Sequence, residues 1–214
     1  MSSTTIQIEN QLFEHLEPFF KAHEFMLLRH LYQFRKQTEN GFQNVILSVS
    51  GSQPVLVEVN LGTRINMVED LAYQFTTGLD VFQENSNTLI TSLGRIVNEP
   101  YKRFEANHEA DVPLIAESIR EFMLQQGFAF LEKYSSVKEM DALFNASPDD
   151  RLPYAYNHLN RCLRGIVLAR IAGSKDFTAL VATYRRTLEK SSTAPPLLEK
   201  YDRLAHYLKT FSIN

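Results

Sequence analysis

The stretch that decides the fold is residues 42–62, FQNVILSVSGSQPVLVEVNLG, in which apolar residues recur at every second position on either side of a central turn. Successive side chains of an extended chain point to opposite faces, so each half of the stretch presents one apolar face. The turn, residues 51–54, contains Gly and Pro, which commonly interrupt regular structure. The pattern predicts two antiparallel strands, 42–50 and 55–62, with one buried face. The predicted core positions are Val45, Leu47, Val49, Val55, Val57, Val59 and Leu61.

A third strand and a helix are predicted on the N-terminal side of this stretch. A strand is predicted over residues 26–38, because two sets of side chains alternate in 28–35: Leu28, His30, Tyr32 and Phe34 on one face and Arg29, Leu31, Gln33 and Arg35 on the other. The Glu-Asn-Gly sequence at 39–41 supplies the tolerance of positive φ that a hairpin turn needs. Further upstream, residues 8–24 place their apolar side chains at spacings of three and four, which predicts an amphipathic helix. Pro18 lies inside that pattern and lacks a backbone donor, so we expect either a kink or two short helices there.

The rest of the chain changes from strands to helices. Residues 66–75 have helical spacing and are predicted to end at Gly78, while 88–97 and 101–107 have the pattern of two further strands. Gly94, within the first of these strands, marks a bulge or the close approach of another backbone. Beyond them the periodicity is helical, with breaks that contain Gly, Pro and Ser. The predicted helices are 114–134, 137–144, 155–172, 177–190 and 197–211.

These patterns predict an α+β fold, in which an N-terminal antiparallel sheet of about five strands with packed helices precedes a C-terminal helical bundle. We expect the sheet region over residues 1–109 and the bundle over 110–214. The polar segment between them is too short for a flexible linker, so the two regions are predicted to pack together as one body.

Composition and charge exclude several classes of protein. The chain of 214 residues has a net charge of −3, with 8 basic and 12 acidic residues in 1–106 and 14 basic and 13 acidic residues in 107–214. Neither half has the clustered Lys and Arg that a nucleic acid requires, so nucleic-acid binding is not expected. No apolar segment approaches the roughly 20 residues of a membrane span, and the N-terminus does not resemble a signal peptide. The single cysteine, Cys162, excludes an intramolecular disulfide and favours a cytoplasmic protein.

His30, Glu58 and Arg64 are the candidates for a catalytic site. His30 lies in the first predicted strand beside Arg29, where burial would tune its proton affinity; the alternative is a histidine that fills an aromatic core. Cys162 has no adjacent His or Lys to activate its thiol and is expected to be a small apolar core residue. The chain has no phosphate-binding loop, dinucleotide fingerprint or nucleophile elbow. Its histidines never occur as a close pair at the spacing of metal ligands, so neither a metal nor a cofactor is expected.

A polar face of the sheet is the first candidate binding surface. The polar residues between 58 and 64 alternate with core positions, so they share the opposite face of their strand. With two arginines of the first predicted strand they either line a ligand groove or form a solvated face with cross-strand ion pairs. The binding residues predicted for this face are Arg29, Arg35, Asn60 and Arg64.

Arginines on the C-terminal helices are the second candidate binding surface. Arg185 and Arg186 lie side by side, and Arg161, Arg164 and Arg170 interrupt an otherwise apolar helix. Such residues suit a partner that carries carboxylates or phosphates. The alternative is that their stems cover the bundle while their charged ends reach water or nearby acidic side chains.

Residues 34–64 also carry a family resemblance. The segments that carry it are Phe34-Arg35-Lys36, Gly41-Phe42-Gln43 and Val57-Glu58-Val59-Asn60-Leu61-Gly62. This basic strand, Gly-aromatic hairpin and Val/Asn-rich strand resemble those of uncharacterised bacterial proteins that contain a domain of unknown function. The resemblance implies no activity, and no functional residue is carried over from it.

The sequence therefore leads to hypotheses from three classes of function. A chain that is rich in Phe, Tyr and Arg and has no recognisable catalytic constellation favours a non-enzymatic protein-binding or adaptor module. The alternative is an enzyme that binds a small molecule in a pocket between the sheet and the helical bundle, with His30, Glu58 and Arg64 as its polar groups. A structural subunit of a homodimer is the third hypothesis.

Overall fold

The computed structural model of the protein describes residues 3–75, 83–155 and 157–212, and the helix end predicted at Gly78 lies outside them. The predicted fold class is confirmed, because an antiparallel sheet in the N-terminal part of the chain is followed by helices in an α+β arrangement. Among the described residues, no helix combines the length and the apolar character needed to cross a membrane.

Two compact units make up the structure, and each combines two segments of the chain. The sheet unit consists of Met1–Thr63 and Ile90–Glu132, and the helical unit consists of Arg64–Leu89 and Lys133–Asn214. This division differs from the predicted boundary between residues 109 and 110. The difference arises because helical residues between 112 and 131 bury their apolar side chains in the hydrophobic core of the sheet unit.

Within the described residues six strands form the sheet, in the order β1-β2-β3-β4-β5, with β6 paired to β4. They are β1 Met26–Leu28, β2 Gln33–Thr38, β3 Gly41–Gly51, β4 Val55–Ile65, β5 Leu89–Ser92 and β6 Phe104–Ala106. β2 and β3 form the predicted hairpin, with Thr38 opposite Gly41. The core positions predicted for β3 and β4 are confirmed, since each of these side chains is 5% exposed or less. Helix α2, Asn66–Tyr73, follows β4 as predicted.

The single strand predicted over residues 26–38 is wrong, because this segment is a hairpin in which β1 and β2 pair antiparallel. Between them lies a 3-10 turn, Arg29–Leu31, followed by Tyr32 in the left-handed region at φ 53° and ψ 41°. Alternating polarity does not reveal this turn, because it contains neither Gly nor Pro and places a non-glycine residue at a φ that costs about 1–2 kcal/mol. His30 is therefore exposed in a turn and does not lie in a strand.

Helix α1, Ser3–Ala22, is one helix with Pro18 inside it, so the predicted alternative of two short helices is wrong. Pro18 has no N–H to donate to the carbonyl of Glu14, but both residues are exposed, so that carbonyl has access to water. The next carbonyl, that of His15, accepts a hydrogen bond from Nη2 of Arg120. The opposite face of α1 contributes Ile8, Leu12, Phe13, Leu16 and Phe20 to the core.

Both strands predicted between residues 88 and 107 are shorter in the structure. β5 ends at Ser92, whose side chain caps the short helix α3, Leu93–Ile96. The close backbone approach predicted at Gly94 is confirmed, because a Cβ there would lie 2.4 Å from the carbonyl oxygen of Glu99. The glycine thus allows a tight turn of the chain after α3. It does not lie within a strand, as the sequence had predicted.

The helices that follow begin and end within a few residues of the predicted ones. They are α4 Val112–Phe122, α5 Phe128–Lys133, α6 Val137–Asn145, α7 His158–Ile171, α8 Phe177–Lys190 and α9 Pro195–Thr210. A π-helical segment, Met123–Gly127, joins α4 to α5, so the chain is helical through the predicted helix 114–134. A Cβ at Gly127 would lie 2.5 Å from Sδ of Met123, so a larger residue there would require the Met123 side chain to move.

Helix α7 is the central element of the helical unit and contacts α2, α6, α8 and α9. Gly165 lets Tyr184 of α8 approach it closely, because a Cβ at Gly165 would lie 2.9 Å from the Tyr184 ring. The buried Tyr184 hydroxyl lies 2.7 Å from the carbonyl oxygen of Phe144 and 2.7 Å from Oδ1 of Asn145, both at the end of α6. These contacts fix the direction in which the side chains of α7 point.

Candidate binding site

A buried ion pair fastens α2 to α7 in the helical unit. Arg164 of α7 donates from Nε to Oε1 of Glu69 over 2.7 Å and from Nη2 to Oε2 over 2.8 Å, which is a bidentate geometry. The Glu69 side chain is 4% exposed and the Arg164 side chain 19%. A buried charge without a partner costs several kcal/mol. The pairing therefore removes the cost of burying either charge alone.

Arg64 extends this network from the end of β4. Its guanidinium donates to Oδ1 of Asn66 (2.8 Å), the carbonyl of Gln83 (2.7 Å), Oγ of Ser86 (2.7 Å) and Oδ1 of Asp70 (3.0 Å). Ser86 also reaches Oε2 of Glu69 over 2.9 Å, which connects Arg64 to the buried ion pair. Arg64 is therefore engaged by oxygen atoms of the protein itself.

The network holds the pKa of Glu69 below its ordinary value of 4.5. Burial alone would raise this pKa, because desolvation disfavours the charged carboxylate. The charge of Arg164 and hydrogen bonds from Arg164, Ser86 and Thr88 outweigh burial and lower it. Burial alone would lower the pKa of Arg164, but the Glu69 carboxylate raises it, so both groups are charged at neutral pH.

This shift predicts how the stability of the protein depends on pH. Because the pKa of Glu69 is lower in the folded state than its ordinary 4.5, its carboxylate contributes stability above about that pH, and the contribution is lost as the pH falls through the folded-state pKa. We expect the urea midpoint of the Glu69→Gln variant to fall less steeply than that of the wild type between about pH 5 and pH 3. Parallel pH profiles for the two proteins would contradict this assignment.

Three aromatic side chains meet at the surface of the helical unit. The ring of Tyr207 in α9 lies 5.8 Å from that of Phe75, which follows α2, and 5.7 Å from that of Phe211, which follows α9. Tyr207 is 38% exposed, and Phe75 and Phe211 are partly buried. Aromatic pairs at such distances attract each other beyond the burial of their area. We call Phe75, Tyr207 and Phe211 the aromatic cluster.

Helix α7 positions both sides of the aromatic cluster. Through Arg164 it binds Glu69 of α2, the helix that ends just before Phe75. Through Nε of Arg170 it donates to the carbonyl oxygen of Phe211 over 2.8 Å, and Nη2 of the same side chain donates to that oxygen. Helix α7 thus makes charge-assisted contacts with the helix that precedes Phe75 and with the backbone of Phe211.

The three predicted catalytic residues have different surroundings. His30 is exposed in the turn after β1, and Oε2 of Glu58 accepts a hydrogen bond from Nε of Arg103 over 3.0 Å. Asn60, predicted to bind, lies half-buried on the same face of β4 as Glu58. Arg64 belongs to the buried network of the helical unit. That these residues form one catalytic or binding site stays a prediction.

The two arginines predicted to join the polar sheet face are engaged within the sheet unit. The guanidinium of Arg29 lies 4.4 Å from the centre of the Phe13 ring of α1. Arg35 donates from Nε to Oδ1 of Asn44 over 3.0 Å, and its guanidinium lies 3.8 Å from the centre of the Phe42 ring. Arg29 thus contacts the helix and Arg35 the adjacent strand, and the two point to different surroundings.

Arg185 and Arg186 are paired with acidic residues of the helical unit. Arg185 donates from Nε to Oδ1 of Asp202 over 2.8 Å and lies 2.7 Å from Oε1 of Glu189, so it links α8 to α9. Arg186 lies 3.6 Å from Oδ1 of Asp149. These contacts agree with the alternative in which charged ends reach nearby acidic side chains.

Cys162 is fully buried in α7, and its Sγ lies 3.8 Å from Nε2 of His158, one helical turn earlier. Sequence reasoning missed this histidine because it looked only at adjacent positions. Burial raises the pKa of the Cys162 thiol to about 12, so the thiolate that a nucleophile requires is not formed at neutral pH.

Among the residues that the structure describes, no group of three or more His, Cys, Asp or Glu is placed to hold a metal ion.

Sequence reasoning also missed the aromatic cluster and the ion pair of Glu69 with Arg164. Tyr207 and Phe211 are four residues apart in a predicted helix, which places them on one face and was a usable signal. Phe75 comes from a distant segment, and nothing in the sequence pairs it with α9. Likewise Glu69 and Arg164 are 95 residues apart, so only the folded chain brings their charges together.

Comparisons of the chain with protein-family models, with curated proteins and with solved structures find no match in any of the three. The resemblance of residues 34–64 to bacterial proteins with a domain of unknown function stays a prediction. Function is therefore argued from the chemistry of the site itself.

Proposed function

We propose that the protein is a non-enzymatic protein-binding module whose aromatic cluster anchors the partner. The observation that carries the proposal is the partly exposed contact of three rings, of which Tyr207 is 38% exposed. Aromatic residues are enriched at interfaces because they bury a large apolar area with the loss of few rotatable bonds. The contact of Arg170 with the Phe211 backbone orders one end of the cluster and so reduces the entropy lost on binding.

The surroundings of the polar residues support a binding role over an enzymatic one. A catalytic acid, base or nucleophile needs access to the substrate and a pKa suited to its task. The donors of Arg64 are directed at oxygen atoms of the protein, and Arg164 is committed to Glu69. The buried thiol of Cys162 is held in its protonated form.

The proposal includes a cytoplasmic location and a protein as the partner. A chain with a single cysteine has no disulfide framework of the kind that stabilises many small secreted proteins. A net charge of −3, without a cluster of basic residues in the sequence, does not favour the phosphate backbone of a nucleic acid.

The test is an affinity purification from the native cell lysate with tagged wild-type protein and the Tyr207→Ala variant, read by quantitative mass spectrometry. We expect one protein to be retained in stoichiometric amount by the wild type and to be reduced at least about tenfold by Tyr207→Ala, as for an interface hot spot. The loss follows from removing the ring that joins Phe75 to Phe211 at the surface.

Tyr101→Ala is the matched control, because Tyr101 is 91% exposed and belongs to the sheet unit. This variant is expected to retain the partner at the wild-type level. Tyr101→Ala is expected to unfold within about 0.5 kcal/mol of the wild type. Tyr207→Ala loses two ring contacts and is expected to be less stable by about 1–3 kcal/mol. Circular dichroism of the purified variant, recorded at the temperature of the binding experiment, separates a loss of binding from a loss of folding. Equal retention by wild type and Tyr207→Ala would reject the proposed site.

A further inference from the structure

Two cations share the face of α9 that carries Tyr207. Lys200, Arg203 and Tyr207 are spaced by three and four residues, so they lie on one side of a helix with about 3.6 residues per turn. Arg203 is exposed and Lys200 is half-buried. Within the described part of the chain, neither cation forms an ion pair with an acidic side chain.

This distinguishes them from the neighbouring arginines of α8. Arg185 is bound by Asp202 and Glu189, and Arg186 lies within ion-pair distance of Asp149. Those charges are balanced inside the helical unit. Arg203 is exposed, so a partner can reach its charge, and the half-buried Lys200 lies one helical turn away.

One acidic residue borders the same face of α9. Glu199 immediately precedes Lys200 and is exposed, about 80° round the helix from Tyr207. On this face of α9 its single negative charge leaves one positive charge in excess, in a chain whose net charge is −3. A local positive excess next to exposed rings favours a partner that presents carboxylates together with an apolar side chain.

We infer that the aromatic cluster with Lys200 and Arg203 binds an acidic segment of the partner protein, an inference that rests on the proposed function. The planar guanidinium of Arg203 offers two parallel donors that match one carboxylate. A second carboxylate lies against the ammonium group of Lys200, one helical turn away. An apolar side chain of the same segment covers the ring of Tyr207.

The direct probe is a fluorescent synthetic peptide of about 12 residues in which glutamate and leucine alternate, titrated with the full-length protein and followed by fluorescence anisotropy. Arg203→Glu is expected to weaken binding at least about tenfold. Lys209→Glu makes the same change of charge at an exposed residue that lies about 200° round α9 from Tyr207, and it is expected to change binding less than about twofold. Added salt is expected to weaken wild-type binding, since the charges are exposed.

Several outcomes would overturn the inference. The inference is wrong if the wild type does not bind the peptide, or if Arg203→Glu and Lys209→Glu weaken binding equally. It is also wrong if a lysine-leucine peptide or single-stranded DNA binds the wild type as tightly as the glutamate-leucine peptide does. A wild-type dimer in light scattering that Arg203→Glu dissociates would assign this surface to a second copy of the chain instead. If Arg203→Glu still retains the lysate partner that Tyr207→Ala loses, the acidic segment is rejected while the proposed function stands.

Discussion

Replacement of Arg164 by methionine is expected to lower the free energy of unfolding by about 3–5 kcal/mol at neutral pH. The reason is that Glu69, with its side chain 4% exposed, would keep a buried negative charge without the bidentate partner that neutralises it. Methionine retains most of the volume of the side chain, so the loss measures charge and hydrogen bonding more than packing. Urea unfolding followed by circular dichroism measures the difference.

Two further variants separate the buried pair from general effects of charge. The double variant Glu69→Leu with Arg164→Met is expected to be more stable than Arg164→Met alone, because removing both charges leaves none unpaired. Arg186→Ala, which breaks an exposed pair with side chains 55% and 62% exposed, is expected to cost at most about 1 kcal/mol. A double variant less stable than Arg164→Met would show that the ion pair is not what the single change disrupts.

Replacement of Arg161 by methionine is expected to cost about 3 kcal/mol. Arg161 is 3% exposed, and its guanidinium donates to carbonyl oxygens of Phe144 (3.0 Å), Ser147 (2.8 Å) and Asp150 at the end of α6 and in the following turn. The last carbonyls of a helix have no partner within the helix, so a buried cation that binds them completes the hydrogen bonding there. Removing it leaves buried acceptors with fewer donors than they have in the native protein.

Arg151→Ala is the control for this prediction, because Arg151 is exposed in the segment between α6 and α7. It is expected to unfold within about 0.5 kcal/mol of the wild type. Amide hydrogen exchange of Arg161→Met is expected to be fastest at the end of α6, where the carbonyl contacts are lost. A uniform increase over the whole helical unit, or a loss below about 1 kcal/mol, would contradict a capping role.

The charged residues of α7 illustrate why a sequence pattern alone does not show whether a charged residue is exposed or buried. Arg161 and Arg164 interrupt an apolar helix, and two interpretations were open, a surface for an anionic partner or side chains that reach water or nearby acids. Arg164 binds an acidic residue, but in the interior, and Arg161 binds backbone carbonyls. Periodicity indicates the side of the helix on which a side chain lies. The partner of that side chain depends on which element packs against that side of the helix.

The turn after β1 shows a second limit of sequence reasoning. Residues 28–35 have the alternating pattern of a strand, yet Tyr32 adopts a left-handed conformation and the segment 26–38 folds back as a hairpin. The conformational cost is met by contacts that no local pattern contains, among them the hydrogen bond from Leu47 N to the Tyr32 carbonyl (3.0 Å) and the contact of Arg29 with the Phe13 ring. For this reason His30, which was predicted to lie in a strand, lies in an exposed turn.

The sequence by itself determined the α+β class, the buried faces of β3 and β4 and the approximate bounds of the C-terminal helices. These features depend on side-chain spacing along a single element, where a period of 2 or 3.6 directly distinguishes the buried face from the exposed one. Only the tertiary structure decided the hairpin at residues 26–38, the pairing of Glu69 with Arg164 and the meeting of Phe75 with Tyr207. Each of these joins segments whose contact is selected by packing of the whole core, and the free energy of that packing is not contained in any local window of the sequence.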